Sequence, residues 1–206
     1  MAIEKNFFRQ VMGRFATGVT VVTTRGSEGV AGLTVNAFCS VSLEPPLVLV
    51  CVDLQSVTLS AIRESGAFAV NILTDQQEEL SRCFAMSSDE RYTNFCHAAY
   101  HVAATGSPIL DGALAFVDAR IVAEYPGGDH VIFIGQVTAI GAGNQVIFAD
   151  EANQIHATAG KQNGKSADHS QRPPLAYYLG QYRHLAPGYQ QPSLPVAAQQ
   201  QEKSSD

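Results

Sequence analysis

Short hydroxyl and amide side chains recur through GLTVNAFCSVSLEPPLVLVCVDLQSVT, residues 32–58. Thr34, Asn36, Ser40, Ser56 and Thr58 supply donors and acceptors without bulk. With glycine and alanine beside them, they suit a flat polar ring lying against a sheet edge, its phosphate near a helix start. Ordinary strand and turn residues would give the same composition, since a site needs few polar groups and strands carry many. A second candidate is His130 in YPGGDHVIFIG, residues 125–135, where a Gly-Gly-Asp turn feeds a run of β-branched and aromatic residues. Turns on a rigid sheet are where proteins hold reactive groups, and histidine changes charge near neutral pH.

Other motifs carry less. AGKQNGKS, residues 159–166, approaches a phosphate-binding loop, but Ala159 replaces the first glycine and ADHSQRPP follows in place of a helix. Cys96, His97 and His101 have metal-ligand spacing without a convincing further ligand, so no metal is expected. There is no G-x-S-x-G elbow for a serine nucleophile and no G-x-G-x-x-G turn after a first strand, which argues against a doubly wound dinucleotide fold.

The elements that must position these residues fit one domain, because 206 residues can bury one good core. Hydrophobic residues make up 46% and charged residues 16%, more apolar than a lone monomer needs, and this predicts a homodimer. A net charge of -6 leaves no basic stripe for a phosphate backbone, so nucleic acid is not an expected partner. MAIEKNFFRQVMGRF has no uninterrupted apolar stretch, and no apolar run approaches membrane-spanning length; a cytoplasmic, membrane-free protein is expected. Cys39, Cys51, Cys83 and Cys96 form no C-x-x-C pair and read as reduced thiols.

Phe7, Phe8, Val11, Met12 and Phe15 recur at three- and four-residue spacing, which predicts an amphipathic helix. GVTVVTT and VAGLTVNAFCSVS around RGSEG read as a hairpin, and LVLVCVD as a strand covered on both faces. Ser56 can cap a short helix carrying Leu59 and Ile62, released by Gly66 into the strand AFAVNIL. Thr74 with Gln77 makes a capping box for a helix that buries Leu80, Cys83 and Phe84. Residues 86–112 read mostly as loop. From 117 to 125 the odd positions are apolar, while Asp118, Arg120 and Glu124 predict a wet face. The PGGD turn reverses that strand into HVIFIGQVTAI, and a polar connection leads to a last short strand near LAYYLGQYRHL. Residues 186–206, rich in Pro, Gln and Ser, read as a disordered tail after a 1–185 domain.

Hairpin-linked strands with a few helices and no regular βαβ alternation predict a mainly β, closed antiparallel barrel with helical additions. The order FATGVTVVTT, GLTVNAFCSVSLEPPLVLVCVD, S-x-T, FAVNIL, ELSRCFA, GGDHVIFIGQV, PLAYYLGQYRHL resembles the flavin reductase family, the NAD(P)H-dependent partners of two-component flavin monooxygenases, over about residues 4–185. The resemblance implies the FMN-binding split barrel, a Greek-key barrel that dimerises with the flavin near the subunit boundary. It implies FMN or FAD as the flavin, NADH or NADPH as hydride donor, and an oxygenase component reached through diffusible reduced flavin. By position, it places Thr34, Val35, Asn36 and Ala37 along the isoalloxazine ring and Ser40, Val41 and Ser42 on the same edge. It sets Cys51, Val52 and Asp53 beside the ribityl chain, with Ser56 and Thr58 on the phosphate. Ser81, Arg82, Cys83 and Phe84 then close over the flavin, and His130 meets the nicotinamide nucleotide. Cys39 stands where many relatives have a hydroxyl, and the insert near 157–172 and the tail are additions. A flavin carrier or store without its own nicotinamide step is the alternative; a pyridoxine phosphate oxidase would need more basic residues than the 13 present.

Overall fold

The computed structural model describes residues 3–143, 145–149, 155–159 and 172–185. The tail and nearly all of the polar insert with its AGKQNGKS motif lie outside the described residues.

Helix α1 (Lys5–Met12) begins where the Glu4 carboxylate accepts from the Asn6 and Phe7 amides at 2.8 and 2.7 Å. These are donors that no preceding turn can satisfy. After a short β1 (Thr17–Gly18), β2 (Thr20–Gly26) and β3 (Gly29–Val35) form the expected hairpin. The second predicted strand breaks at Asn36 and Ala37, and the chain resumes as β4 (Phe38–Leu43), which pairs with β5 (Pro46–Asp53). Helix α2 (Thr58–Ser65) stops at Gly66, which takes the left-handed conformation at φ 63° that suits a residue without Cβ. β6 (Ala67–Ile72) follows, and the Thr74–Gln77 capping box forms as expected ahead of α3 (Glu78–Ala85).

The segment expected to be loop is structured. It holds α4 (Asp89–Thr93), a single 3-10 turn (Phe95–His97), and the paired strands β7 (Tyr100–Val102) and β8 (Pro108–Leu110). Phe95, Cys96 and His97 all have positive φ, at 49°, 54° and 53°. Left-handed backbone costs a residue with a Cβ roughly 1–2 kcal/mol, and nothing in the composition announces such a run. Burial of Phe95 against Phe84 and Tyr100, with ring centroids 5.0 and 5.4 Å apart, is what offsets it.

The long hairpin of β9 (Ala115–Gly127) and β10 (His130–Ala142) turns at Gly128 and Asp129. β11 (Gln145–Ala149) and β12 (Ile155–Ala159) extend the far end of β10, and β13 (Ala176–Tyr178) with β14 (Gln181–Arg183) pairs onto β1. The main sheet runs β3-β2-β6-β9-β10-β5-β4, all antiparallel. The Cys51 amide of β5 donates to Ala37 O at 3.1 Å, which carries the β4–β5 pairing one residue past Phe38 into the break before β4. The molecule is mainly β with helices packed around the sheet, as expected.

Val22, Val50, Val52, Phe68, Val70 and Phe133 fill the concave side under Leu59 and Ile62 of α2. Each such side chain contributes roughly 1.5–3 kcal/mol by leaving water. β5 differs from its expectation of two covered faces: Val48, Val50 and Val52 point into this core, while Leu49 and Cys51 point outward and are only half-buried. Alternation along a strand explains the split, because among the described residues the outer face of β5 meets an open cleft and no packed helix. Asp118 was expected on a wet face and is instead fully buried, since the Thr105 amide and hydroxyl come over the strand to bond its carboxylate.

Candidate functional site

The break between β3 and β4 opens a cleft of about 930 Å3. Asn36 and Ala37 come from the break, Cys39 from the start of β4, Leu49 and Cys51 from the outer face of β5, and Phe8, Arg9 and Met12 from α1. The walls are chiefly apolar, and burial together with the neighbouring Cys39 thiol pushes the Cys51 thiol up, which keeps it neutral. Thr17 Oγ1, also on this wall, is buried with no hydrogen-bond partner among the described residues. A chiefly apolar cleft of this size, with Arg9 of α1 as its one charged lining residue among those described, fits a planar heteroaromatic ring, and an orphaned hydroxyl in its wall is a group that such a ring can satisfy.

The residues expected along the ring divide by face. Asn36, Ala37, Ser40 and Val41 are exposed and Ser42 is half-buried, so this stretch is open to a ligand. The Thr34 hydroxyl donates instead to Ser81 O at 2.6 Å, tying β3 to α3. Val35 and Val52 are buried in the core, so what they can offer outward is backbone. Asp53 and Ser56 shape the turn after β5: Asp53 Oδ1 accepts from the Gln55 amide at 2.7 Å, and Ser56 Oγ from the Thr58 amide at 3.3 Å. That bond is close to the cap expected of Ser56, displaced because the helix opens one residue later, with Val57 at its N-cap.

His130 stands at the base of the β9–β10 hairpin, paired in register with Gly127 on one side and Asp53 on the other. Its Nδ1 lies 2.7 Å from Asp129 Oδ1. The histidine is the main reason the Asp129 carboxyl sits below its ordinary range, with Lys5 of α1 acting in the same direction. The ring is thereby oriented through one nitrogen, and His130 is not among the residues that line the 930 Å3 cleft.

On α3, Ser81 and Phe84 are buried, Ser81 Oγ meeting Tyr182 Oη at 2.8 Å. Arg82 is exposed and already paired: Glu78 takes its guanidinium, which stacks 4.7 Å over the Tyr182 ring. Cys83 is not a free thiol. It is bonded to Cys96, with the Cα atoms 6.1 Å apart, while Cys39 and Cys51 are free. The expectation of reduced thiols fails for this pair because the 3-10 turn at Phe95–His97 folds back against α3, a contact that cysteine spacing does not reveal.

The residue that sequence reasoning missed is Arg91 of α4. It is only 8% exposed and lines a second cleft of about 480 Å3 beside β3 and α2. Its Nε donates to Gly32 O at 2.9 Å, one terminal nitrogen to Met86 O at 3.2 Å and the other to Thr58 Oγ1 at 3.1 Å. Thr58, expected on a phosphate, thus turns its hydroxyl to Arg91. Ser88 before α4, whose hydroxyl accepts from the Arg91 amide, was the available sign that this arginine sits on a helix.

The model of the family described as "Flavin reductase like domain" matches residues 12–186 of the chain. The reductase subunit HsaB of a Mycobacterium tuberculosis flavin-dependent monooxygenase is 36% identical over 138 residues, which is 67% of this chain and 72% of that protein. An NADH-dependent flavin reductase from Rhodococcus is 42% identical over 132 residues, 63% of this chain and 72% of its own. Among solved structures, the Streptomyces globisporus NADH:FAD oxidoreductase SgcE6, in complex with NAD and FAD fragments, superposes with a TM-score of 0.68 at 34% identity, covering 90% of this chain and 94% of its own.

Proposed function

The chain belongs to the flavin reductase-like family, and from that premise we propose that it reduces FMN or FAD with NAD(P)H in the 930 Å3 cleft at the β3–β4 break. The single observation that carries this placement is the neutral, small-residue wall at Asn36, Ala37 and Cys39, open on the outer side of the sheet. Hydride passes from nicotinamide to flavin, and both reacting centres belong to the bound molecules. The chain's own part is to seat them. Asn36 and Ala37 leave the ring face clear, Thr17 Oγ1 offers a hydrogen bond, and the apolar walls from Leu49 and Phe8 exclude water. Holding two rings in one orientation replaces an improbable encounter by a fixed one. His130, fixed by Asp129, bonds the nicotinamide nucleotide and is not an obligatory acid or base.

Ser40, Val41 and Ser42 extend the ring edge, Cys51, Val52 and Asp53 border the ribityl chain, and Ser56 and Thr58 mark the phosphate end. Ser81, Arg82, Cys83 and Phe84 belong to the cover formed by α3. The main sheet is the family's closed split barrel, and residues 1–185 are its domain. α1 buries none of its residues, and Phe7, Phe8, Val11 and Met12 are 50–61% exposed; a second copy of the chain that covers them makes a homodimer. Relatives named as reductase subunits of flavin-dependent monooxygenases support an oxygenase as consumer of the reduced flavin. No described helix is long and apolar enough to cross a membrane, and we place the protein in the cytoplasm.

The test is to mix the full chain with NADH or NADPH and a slight excess of FMN, FAD or riboflavin, and follow reduced-nicotinamide absorbance. Many turnovers per chain are expected. Stoichiometric bleaching would turn the assignment toward a flavin carrier or store.

A further inference from the structure

Sulfur is unevenly placed in this molecule. The chain has four cysteines and three methionines. Cys83 and Cys96 are bonded to each other, and the two free thiols, Cys39 and Cys51, both line the 930 Å3 cleft, joined there by the Met12 thioether of α1. Strand register brings the thiols together. Cys39 stands opposite Leu49, and the Cys51 amide bonds Ala37 O, so Ala37, Cys39, Leu49 and Cys51 project from one face of the β4–β5 pair. The two thiols are diagonal neighbours on that face. Burial first, and the Cys39 thiol second, oppose ionisation of Cys51, which places the sulfurs within electrostatic reach of each other.

The diagonal decides what the pair can do. Diagonal neighbours on paired strands lie roughly 7–8 Å apart, with Cβ atoms somewhat closer, whereas a direct disulfide needs Cβ atoms within about 4.5 Å. A cation held between the sulfurs, at about 2.3 Å from each, widens their span from the roughly 2 Å of a disulfide to roughly 4.6 Å. The geometry therefore favours a bridging ion over a bond. Among the described residues there is no group of three His, Cys, Asp or Glu side chains that could hold a metal, so zinc, which takes four such ligands, is not served. Thiolate and thioether sulfur instead select Cu(I), an ion that two or three soft ligands satisfy. Binding displaces a proton from each thiol, with no change of oxidation state, and leaves one net negative charge on the complex. Arg9, the charged side chain lining the same cleft, is placed to offset it.

We propose that Cys39 and Cys51, with Met12 as a third and weaker ligand, form a binding site for Cu(I), and that an occupied site keeps the flavin ring off this wall. The cation site stands on the sulfurs alone. Its competition with flavin rests on the ring reading of the cleft.

Titration of the full chain with Ag(I), a redox-inert stand-in for Cu(I), in chloride-free buffer tests this without turnover, read by calorimetry and native mass spectrometry. One Ag(I) per chain should bind, and Zn(II) should bind far more weakly. Cys39→Ser and Cys51→Ser should each weaken Ag(I) about 100-fold, and Met12→Leu about fivefold, because each removes a soft ligand. The unfolding midpoint of Cys39→Ser should not move, since that side chain is exposed. A loss confined to one cysteine variant marks a lone thiol and overturns the proposal, as does Ag(I) binding that survives in the double serine variant. Riboflavin titrated with one equivalent of Ag(I) present should bind at least tenfold more weakly than without it; riboflavin affinity unchanged by the cation overturns the exclusion. Ag(I) binding through both cysteines with no riboflavin binding removes the ring reading and leaves the cation site, whereas riboflavin binding with no Ag(I) binding does the reverse.

Discussion

The middle of β3 and the break just past its end have been built in opposite ways. In the middle, Gly32 lies under α3 and α4, so close that an added Cβ would stand 2.8 Å from Phe84 Cε1 and 3.4 Å from Phe95 Cε2, with Arg91 bonded to its carbonyl. Past its finish, Asn36 and Ala37 are exposed, and the wall facing them is a helix with no buried residue. The covered middle is fastened by a disulfide, an aromatic pair and a guanidinium. The open end has chiefly its backbone, with Ala37 O bonded to the Cys51 amide. Rigid support in the middle of a strand lets the break beyond it remain empty of side chains, which is what a site for a flat ring requires.

Substitutions at the two places should therefore fail differently. Ala37→Trp fills the open end and should lower kcat/KM for flavin reduction by about 100-fold, the scale of a displaced reactant, with the thermal midpoint unchanged; a fall in that midpoint would mean that the open end also carries the fold. Cys83→Ser should do the reverse, reducing stability in urea by about 3 kcal/mol, the usual worth of a disulfide closing a loop of this length, and dithiothreitol should reproduce the loss in the wild type but not in the variant. Gly32→Ala, pressed against Phe84, should cost about 1–3 kcal/mol by overpacking, and a neutral outcome in a denaturation series would show that the cover yields. His130→Ala should raise the KM for NAD(P)H about fivefold, the worth of one hydrogen bond, with kcat nearly unchanged; if neither constant moves, the ring has no part in binding.

The smallest effect concerns acid. Glu78's carboxyl is held below its ordinary 4.5 first by Arg82 and further by His184. A depressed folded value means that this contribution is complete above pH 4.5 and disappears as the pH falls through the lower folded value. Glu78→Gln should flatten the acid limb of a stability-against-pH curve; an identical limb would assign it to other carboxyls, such as Asp129, which is depressed in the same sense.

Much of the sheet could be read in advance because strand alternation and turn chemistry are local. The β9–β10 hairpin, the Thr74–Gln77 box and the Gly66 stop all followed from a few neighbouring residues. The open end of β3 was legible for the same reason, with resemblance supplying its meaning. The covered middle was not. Its parts come from residues 81–97, where α4 is short, the 3-10 turn needs three left-handed residues without a glycine, and the Cys83–Cys96 bond exists only after both are formed. Arg91 has no sequence context that separates a buried arginine from a solvated one, and Asp118 was misplaced because its partner Thr105 arrives from a separate segment. In each case the missing information was tertiary.

β10 pairs with β9 from His130 to Ala142, with β5 over His130–Gln136 and with β11 over Ala139–Ala142. A strand enclosed on both edges releases its amide protons only when much of the sheet opens, so its central amides should be among the last to exchange with deuterium. Those of α1, with none of its residues buried, should be among the first. The histidine is thus mounted at one end of the slowest-breathing part of the molecule, while the wall across the ring cleft belongs to the fastest, and traffic of ligands through that cleft can proceed without loosening the imidazole's seat.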